Sequence, residues 1–403
     1  MRKQIIPILI ALLALAGITY LWSNSDQPEA QVIVPEVLPS PTAVSANAPE
    51  VLPLANSALR SSIISAGDYL VRQQLANGEL AYQVNLITSD RSSTPSYIRL
   101  IGGTSALYTV CRVAGDMVYC EAADRALEHY LPNLLTDSDH FKGTCLYTNG
   151  SCPLGGATVT IDAIYKRWLA TGNVMLNGHD MLATAVDLGY FIASMRRPEG
   201  GFYHSFDPHF AGTVDPNYFD PTFNGGAVAA FLQLYEMTGN QFWLEQAREV
   251  HDFMLIQTVT EDYGHSYALA LFARLDELSK TDLEYGRQIA DLIIAGQIRS
   301  LNPANSSIAT ATKIEALSSI AQALTLSGTE VEWLDREIIT FITFVQARQF
   351  PANDCNFGLD GSVNEKYKGG IFNTCDDPSI RVDGVQHWVN GLTLYLEYQE
   401  MGK

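Results

Sequence analysis

Near its C-terminus the chain reads Arg381-Val382-Asp383-Gly384-Val385-Gln386-His387-Trp388, with Arg, Asp, Gln and His crowded into seven residues. On a helix Asp383 and His387 stand four apart and share a face. A carboxylate beside an imidazole is the raw material of general acid–base catalysis, because each tunes the proton affinity of the other. The same pair would serve equally as a buried structural hydrogen bond. Glu315 is a second candidate: it interrupts the apolar and small-residue run IATATKIEALSSI, where an unpaired carboxylate is disfavoured. Its bland alternative is a salt bridge to Lys313 or a nearby arginine. His265, in Asp262-Tyr263-Gly264-His265 at the head of an apolar helix, is a third candidate for acid, base or ligand donor.

Other segments look suited to binding. Tyr203 and His204 in GGFYHSFD, then Tyr218, Phe219, Asp220 and Asn224, place aromatic faces beside hydrogen-bonding groups. Sugars present apolar C–H faces bordered by hydroxyls, so such loops suit them. Glu79 and Tyr82 in NGELAY repeat the composition. Arg99, after Tyr97, puts a cation at another helix start, and Arg99 with Arg381 could hold a carboxylate substituent. Arg381, Gln386 and Tyr263 complete the binding candidates.

The elements that must position these residues are helical. Small-residue turns recur at Gly115, Gly172, Gly239 and Gly328, which lie 57, 67 and 89 residues apart. Glycine there accepts the left-handed conformation that closes a helix, and a following Asp, Asn or Thr can cap the next. Apolar residues at three- and four-residue spacing predict helices over 57–75, 96–114, 116–135, 156–171, 179–196, 222–238, 241–258, 263–279, 282–298, 308–327, 329–348 and 380–400. Arg99, Asp220, His265, Glu315 and Asp383 fall at or near the starts of alternate helices. In a closed ring those starts would meet at one mouth; an open solenoid would have more regular repeats.

YIRLIGGTSALYTVCRVAGD, FNGGAVAAFLQLYEMTGNQFWLEQA, EDYGHSYALALFARLDEL, SIATATKIEALSSIAQAL and IRVDGVQHWVNGLTLYLEY resemble successive helices of the six-hairpin glycosidase-like superfamily. The resemblance spans nearly all of 57–400. It implies an all-α (α/α)6 toroid of six helical hairpins, with short β-hairpin loops and a binding cleft at one end. The superfamily includes glycoside hydrolases, polysaccharide lyases and sugar epimerases. No catalytic signature of any one family is matched, so the resemblance assigns no residue a role.

Ahead of this domain (57–403) stands an apolar run from Ile5 to Trp22 behind Arg2 and Lys3. It is about 18 residues, the length at which a span becomes a candidate, and the leading positive charge orients the remainder outward. Residues 1–23 read as a signal anchor, with a cleaved signal peptide as the alternative. The Pro-, Ser- and Ala-rich stretch 24–56 reads as an extended spacer. The expected location is an inner or plasma membrane, with the domain in the periplasm or outside the cell.

The chain carries a net charge of −19, and residues 1–56 hold two of its positive and four of its negative charges, leaving −17 on the remainder. That argues against nucleic acid or an anionic membrane surface as ligand, since both call for clustered Lys and Arg. Six cysteines fall in close pairs: Cys111 with Cys120, Cys145 with Cys152, and Cys355 with Cys375. Fifteen pairings are open; disulfides are the first reading in an oxidising compartment. The Asn149-Gly150 turn within CLYTNGSC supports the middle pair. Zinc is the rival, but no CxxC or close His pair supplies a ligand set. Neither a nucleotide loop nor GxSxG is present, and Asp207, Asp215 and Asp220 do not match a calcium loop. No metal and no cofactor is expected.

The function so expected is a carbohydrate-active enzyme, glycoside hydrolase-like, acting on an envelope or capsular polysaccharide. Two carboxylates roughly 5–9.5 Å apart would serve hydrolysis. A base with a Tyr or His acid would instead suit a lyase or a uronic-acid epimerase. A non-catalytic toroid that binds glycan or protein during envelope assembly is the reading from outside enzymology.

Overall fold

The structure, a computed structural model, describes residues 55–401 apart from 93–95, 138, 210, 214, 297–301, 303 and 359–364. The expected anchor (1–23) and nearly all of the spacer (24–56) lie outside the described residues. Among the described residues no helix is long and apolar enough to cross a membrane.

Twelve long helices are described: α1 (Asn56–Gln73), α2 (Tyr97–Ala114), α3 (Met117–Tyr130), α4 (Leu154–Thr171), α5 (Met181–Ser194), α6 (Pro221–Thr238), α7 (Gln241–Leu255), α8 (Tyr263–Arg274), α9 (Lys280–Ala295), α10 (Ser307–Leu326), α11 (Glu332–Gln346) and α12 (Val382–Met401). Each predicted helix has a counterpart, and the differences are at the ends. The 263–279 expectation overruns because Asp276 takes a positive φ of 58° and turns the chain. The 116–135 expectation overruns because a short 3-10 turn containing Pro132 follows Tyr130.

The even-numbered helices form a closed inner ring. In order, α2 packs on α4, α4 on α6, α6 on α8, α8 on α10, α10 on α12, and α12 returns to α2. The odd-numbered helices lie outside, packed against their neighbours in sequence, and the apolar core fills the space between the two rings. Burial follows from this arrangement. In α2 every residue from Leu100 to Cys111 is buried, whereas the outer α3 buries one stripe. A helix apolar or small all round is the sequence form of full burial. Gly115, Gly172 and Gly239 close α2, α4 and α6 in the left-handed conformation, and Asp116 and Asn240 cap the helices that follow.

Short antiparallel pairs edge the ring: Gln83–Asn85 with Ser379–Arg381, Leu134–Thr136 with Thr144–Leu146, and Cys152–Pro153 with Ser205–Phe206. Two of these join segments distant in sequence, so they are not hairpins. A true hairpin, Met175–Leu176 with His179–Asp180, follows the C-terminus of α4, at the end of the ring opposite the inner-helix N-termini. The β elements are therefore not confined to one end. Asn149 and Gly150 both take positive φ between Thr148 and Ser151, which form a bridge. The three cysteine pairs are joined as the local pairing has it, with Cα separations of 5.4, 5.8 and 5.0 Å, within the range a disulfide spans.

The segment carrying Arg381 into α12 is fixed from behind. Gln349 bridges to Ile371 and Phe372 to Ile380, while Gly369 donates its N–H to Phe350 at 2.9 Å. Gly369 has φ +84°, and a Cβ there would overlap the carbonyl of Ser65 on α1. Gly369→Ala combines backbone strain with overpacking. It should lower stability by about 3 kcal/mol, read as the drop in unfolding midpoint in urea.

Candidate active site

The ring encloses a cavity of about 820 Å³ on its axis. At the N-terminal end of the inner helices its wall carries Arg99, Tyr263, Glu315, Arg381, Asp383, Gln386 and His387. These residues span 289 positions of sequence and share one wall because the ring closes.

Two paired arrangements meet here. His387 Nδ1 lies 3.0 Å from Glu315 Oε2, joining α12 to α10, with both residues almost fully buried. Burial acts to lower the imidazole pKa, but the charge and hydrogen bond of Glu315, with the charge of Asp383, outweigh it and raise the net value. The second Glu315 oxygen, Oε1, is buried and has no hydrogen-bond partner among the described residues. The ring of Tyr263 stands edge-on to His387 at 5.2 Å, and burial followed by the Glu315 charge keeps its phenol protonated far above the usual range.

Asp383 sits between two guanidinium groups. Arg99 Nε is 3.1 Å from one of its oxygens, and Arg381 Nε 3.0 Å from the other. Both guanidinium groups lie against the ring of Tyr82, whose hydroxyl accepts from Arg99 at 2.6 Å. The charge of Asp377 also acts on Arg381, so the two cations here face two carboxylates.

Deeper in the cavity lies a polar layer absent from the sequence reading. Asp162 accepts from Ser105 Oγ at 2.5 Å, Gln233 Nε2 at 2.8 Å and Lys166 Nζ at 3.0 Å, and Lys166 also reaches Asn390 Oδ1 at 3.1 Å. Burial works against the ammonium, yet Asp162 and Tyr267 hold the Lys166 pKa above its ordinary value. Asp162 and Lys166 interrupt the apolar helix TVTIDAIYKRW, the same signal that singled out Glu315.

Several sequence candidates do not line this cavity. His265 is wholly buried on the other side of α8, where His251 lies 2.8 Å away and Tyr285 3.2 Å. Helical residues two apart point in nearly opposite directions, so with Tyr263 facing the axis His265 faces the outer helices. Burial, then the neighbouring His251, hold its pKa well below the ordinary value. A catalytic role for His265 therefore has no geometric support. Asp220 caps α6 by accepting from Phe223 N at 3.2 Å. Asn224 is buried and fastens the preceding loop by accepting from Phe202 N at 2.8 Å. Tyr203 lies against Arg197. His204 stacks on Phe223 and opens onto a separate recess with Tyr218 and Asp215. Lys313 pairs with Glu261 rather than Glu315.

No protein-family model matches the sequence, and neither does any of the curated proteins. Solved structures do match in shape. Cellobiose 2-epimerase from Bacillus thermoamylovorans B4167 aligns with a TM-score of 0.62 at 12% identity, over 85% of this chain and 100% of that one. The GH76A alpha-1,6-mannanase from Salegentibacter sp. HEL1_6 gives 0.58 at 12%, over 85% and 100%. An unsaturated glucuronyl hydrolase specific for heparin gives 0.57 at 11%, over 86% and 99%. The chain thus has the (α/α)6 toroid fold that these structures share.

The raised His387 pKa has a clear sign. The stability this pair contributes is complete below the ordinary value of 6.5 and fades as pH rises through the folded value. Glu315→Gln removes the main raising influence and keeps the burial. The His387 ring resonances, followed by NMR, should then titrate below 6.5 rather than above it.

Proposed function

We propose that the chain is a carbohydrate-active enzyme that binds an oligo- or polysaccharide at the mouth of the toroid and moves a proton through His387. The observation that carries this reading is the buried Glu315–His387 pair on a cavity wall. Held by Glu315 through Nδ1, the ring is left to transfer protons through Nε2, the arrangement a general acid–base pair requires. The named activities of the structural neighbours, two on saccharides and one on a uronyl sugar, support the substrate class.

Within that class the geometry favours proton transfer at carbon, as in epimerisation or elimination, over hydrolysis. Glycoside hydrolysis needs one carboxyl kept neutral to protonate the leaving oxygen. Here Glu315 is matched by His387, and Asp383 by Arg99 and Arg381. A proton leaving a carbon beside a carbonyl or carboxylate creates an oxyanion instead, and N–H groups of Arg99 and Arg381 turned toward it would stabilise it. Hydrolysis remains the second reading, favoured by two carboxylates on one cavity wall.

The apolar run Ile5–Trp22 and the three disulfides support placement outside the cytoplasm, tethered to the membrane, with an envelope or capsular glycan as substrate.

The reading is tested with neutral and uronic-acid oligosaccharides incubated in D2O and followed by NMR. Deuterium entering a C–H position, or a new double bond, is expected. His387→Asn should reduce that rate by about 10²–10⁴-fold while leaving saccharide affinity nearly unchanged. New reducing ends with neither deuterium at carbon nor a new double bond would make the protein a hydrolase. Binding with no conversion of any sugar would make it a glycan-binding toroid.

A further inference from the structure

The cavity does not stop at the polar layer. Its wall continues past Asp162 and Lys166 to Arg112, Leu169, Glu236, Arg274 and Glu397. Arg112, Leu169, Glu236 and Arg274 stand in the last turn of α2, α4, α6 and α8, so the space reaches the face of the ring opposite the His387 mouth. Residues at both ends meet solvent: the Arg99 side chain is 45% exposed at the mouth, and Arg112 is 42% exposed at the far end. Leu169, a large apolar residue on the axis side of α4, is itself 40% exposed.

We infer that the axial cavity is a passage through the ring, with a second opening at the far face through which water or a small polar product leaves. From Arg99 to Arg112 the wall is about 20 Å long at 1.5 Å per residue. A volume of about 820 Å³ over that length gives a mean width of about 7 Å, ample for water and of the order of a single sugar ring. The far opening is ringed by opposite charges. Arg112 pairs with Glu397, which Gln322 also reaches at 3.4 Å, while Tyr165 donates to Glu236. The Arg112 side chain is 42% exposed and that of Glu397 24%, and an ion pair open to solvent on one side contributes on the order of 1 kcal/mol. It can therefore open and reclose at little cost and act as a gate. Release of a sugar product through the gate rests on the proposed function; the passage itself does not.

The test reads the passage without using activity. Ala229, buried on the cavity wall midway along α6, is replaced by cysteine (Ala229→Cys) in the full chain. Modification of the new thiol by a small charged methanethiosulfonate is timed, with intact mass confirming that the three disulfides survive. The mouth is narrowed with Ile98→Trp and Ile308→Trp, and the far end with Leu169→Trp. Thr222→Trp and Arg112→Trp stand in if either set fails to fold. The passage predicts that each single block slows labelling without stopping it and that only the combined block abolishes it. Loss of labelling on blocking one end alone, whichever end, would show a blind pocket and overturn the inference. So would an introduced thiol that stays unreactive with both ends open. If labelling behaves as a passage and no sugar is converted, the proposed function fails and the passage stands.

Discussion

The close approach of α10 and α12 is the constraint on which the site depends. Gly384, His387 and Gly391 are spaced three and four apart, so they form one stripe of α12. At Gly384 a Cβ would stand 3.1 Å from Ile308, and at Gly391 2.9 Å from Ile314. With no side chain at either glycine the backbones come near enough for the Glu315 carboxylate to reach the imidazole between them. The resulting pair is buried, and removing one member leaves the other uncompensated, a change that typically costs about 3–5 kcal/mol. Close packing and acid–base pairing are thus one feature of this helix contact.

The second constraint is electrostatic. The domain is strongly acidic, yet two cations stand together at the mouth. Arg99 and Arg381 converge there on a single carboxylate. The inner helices all present their N-termini at that end, and each contributes partial positive charge. A negatively charged sugar group would meet its cationic partners, Arg99 and Arg381, at the ring opening. Burial also raises Asp262, the cap of α8, to about 7, so at neutral pH that carboxyl subtracts less from the field there than a fully ionised one would.

Much of this was legible in the sequence, for identifiable reasons. Helices buried on all sides, left-handed glycines and capping residues leave local marks, so twelve helices and their alternation could be read directly. Glu315 and the Asp383–His387 segment stood out because polar groups in apolar helices are costly without partners. That Glu315 and His387 partner each other was not legible, since 72 residues separate them and only ring closure brings them together. The place of His265 was not legible, because it stands two residues from Tyr263 in sequence but on the opposite face of α8. Asp220 and Asn224 misled because a cap and a loop clamp use the same residue types as a binding site. Asp162 and Lys166 carry the same local mark as Glu315, polar groups within an apolar helix.

A crystal structure of the His387→Asn protein with an oligosaccharide bound would show whether His387 faces the reacting carbon. A sugar C–H carbon is expected within about 3–3.5 Å of the residue-387 side chain, with a carboxylate or carbonyl of the same sugar turned toward Arg99 and Arg381. A saccharide seated in the recess of His204 and Tyr218, or anywhere away from residue 387, would contradict it.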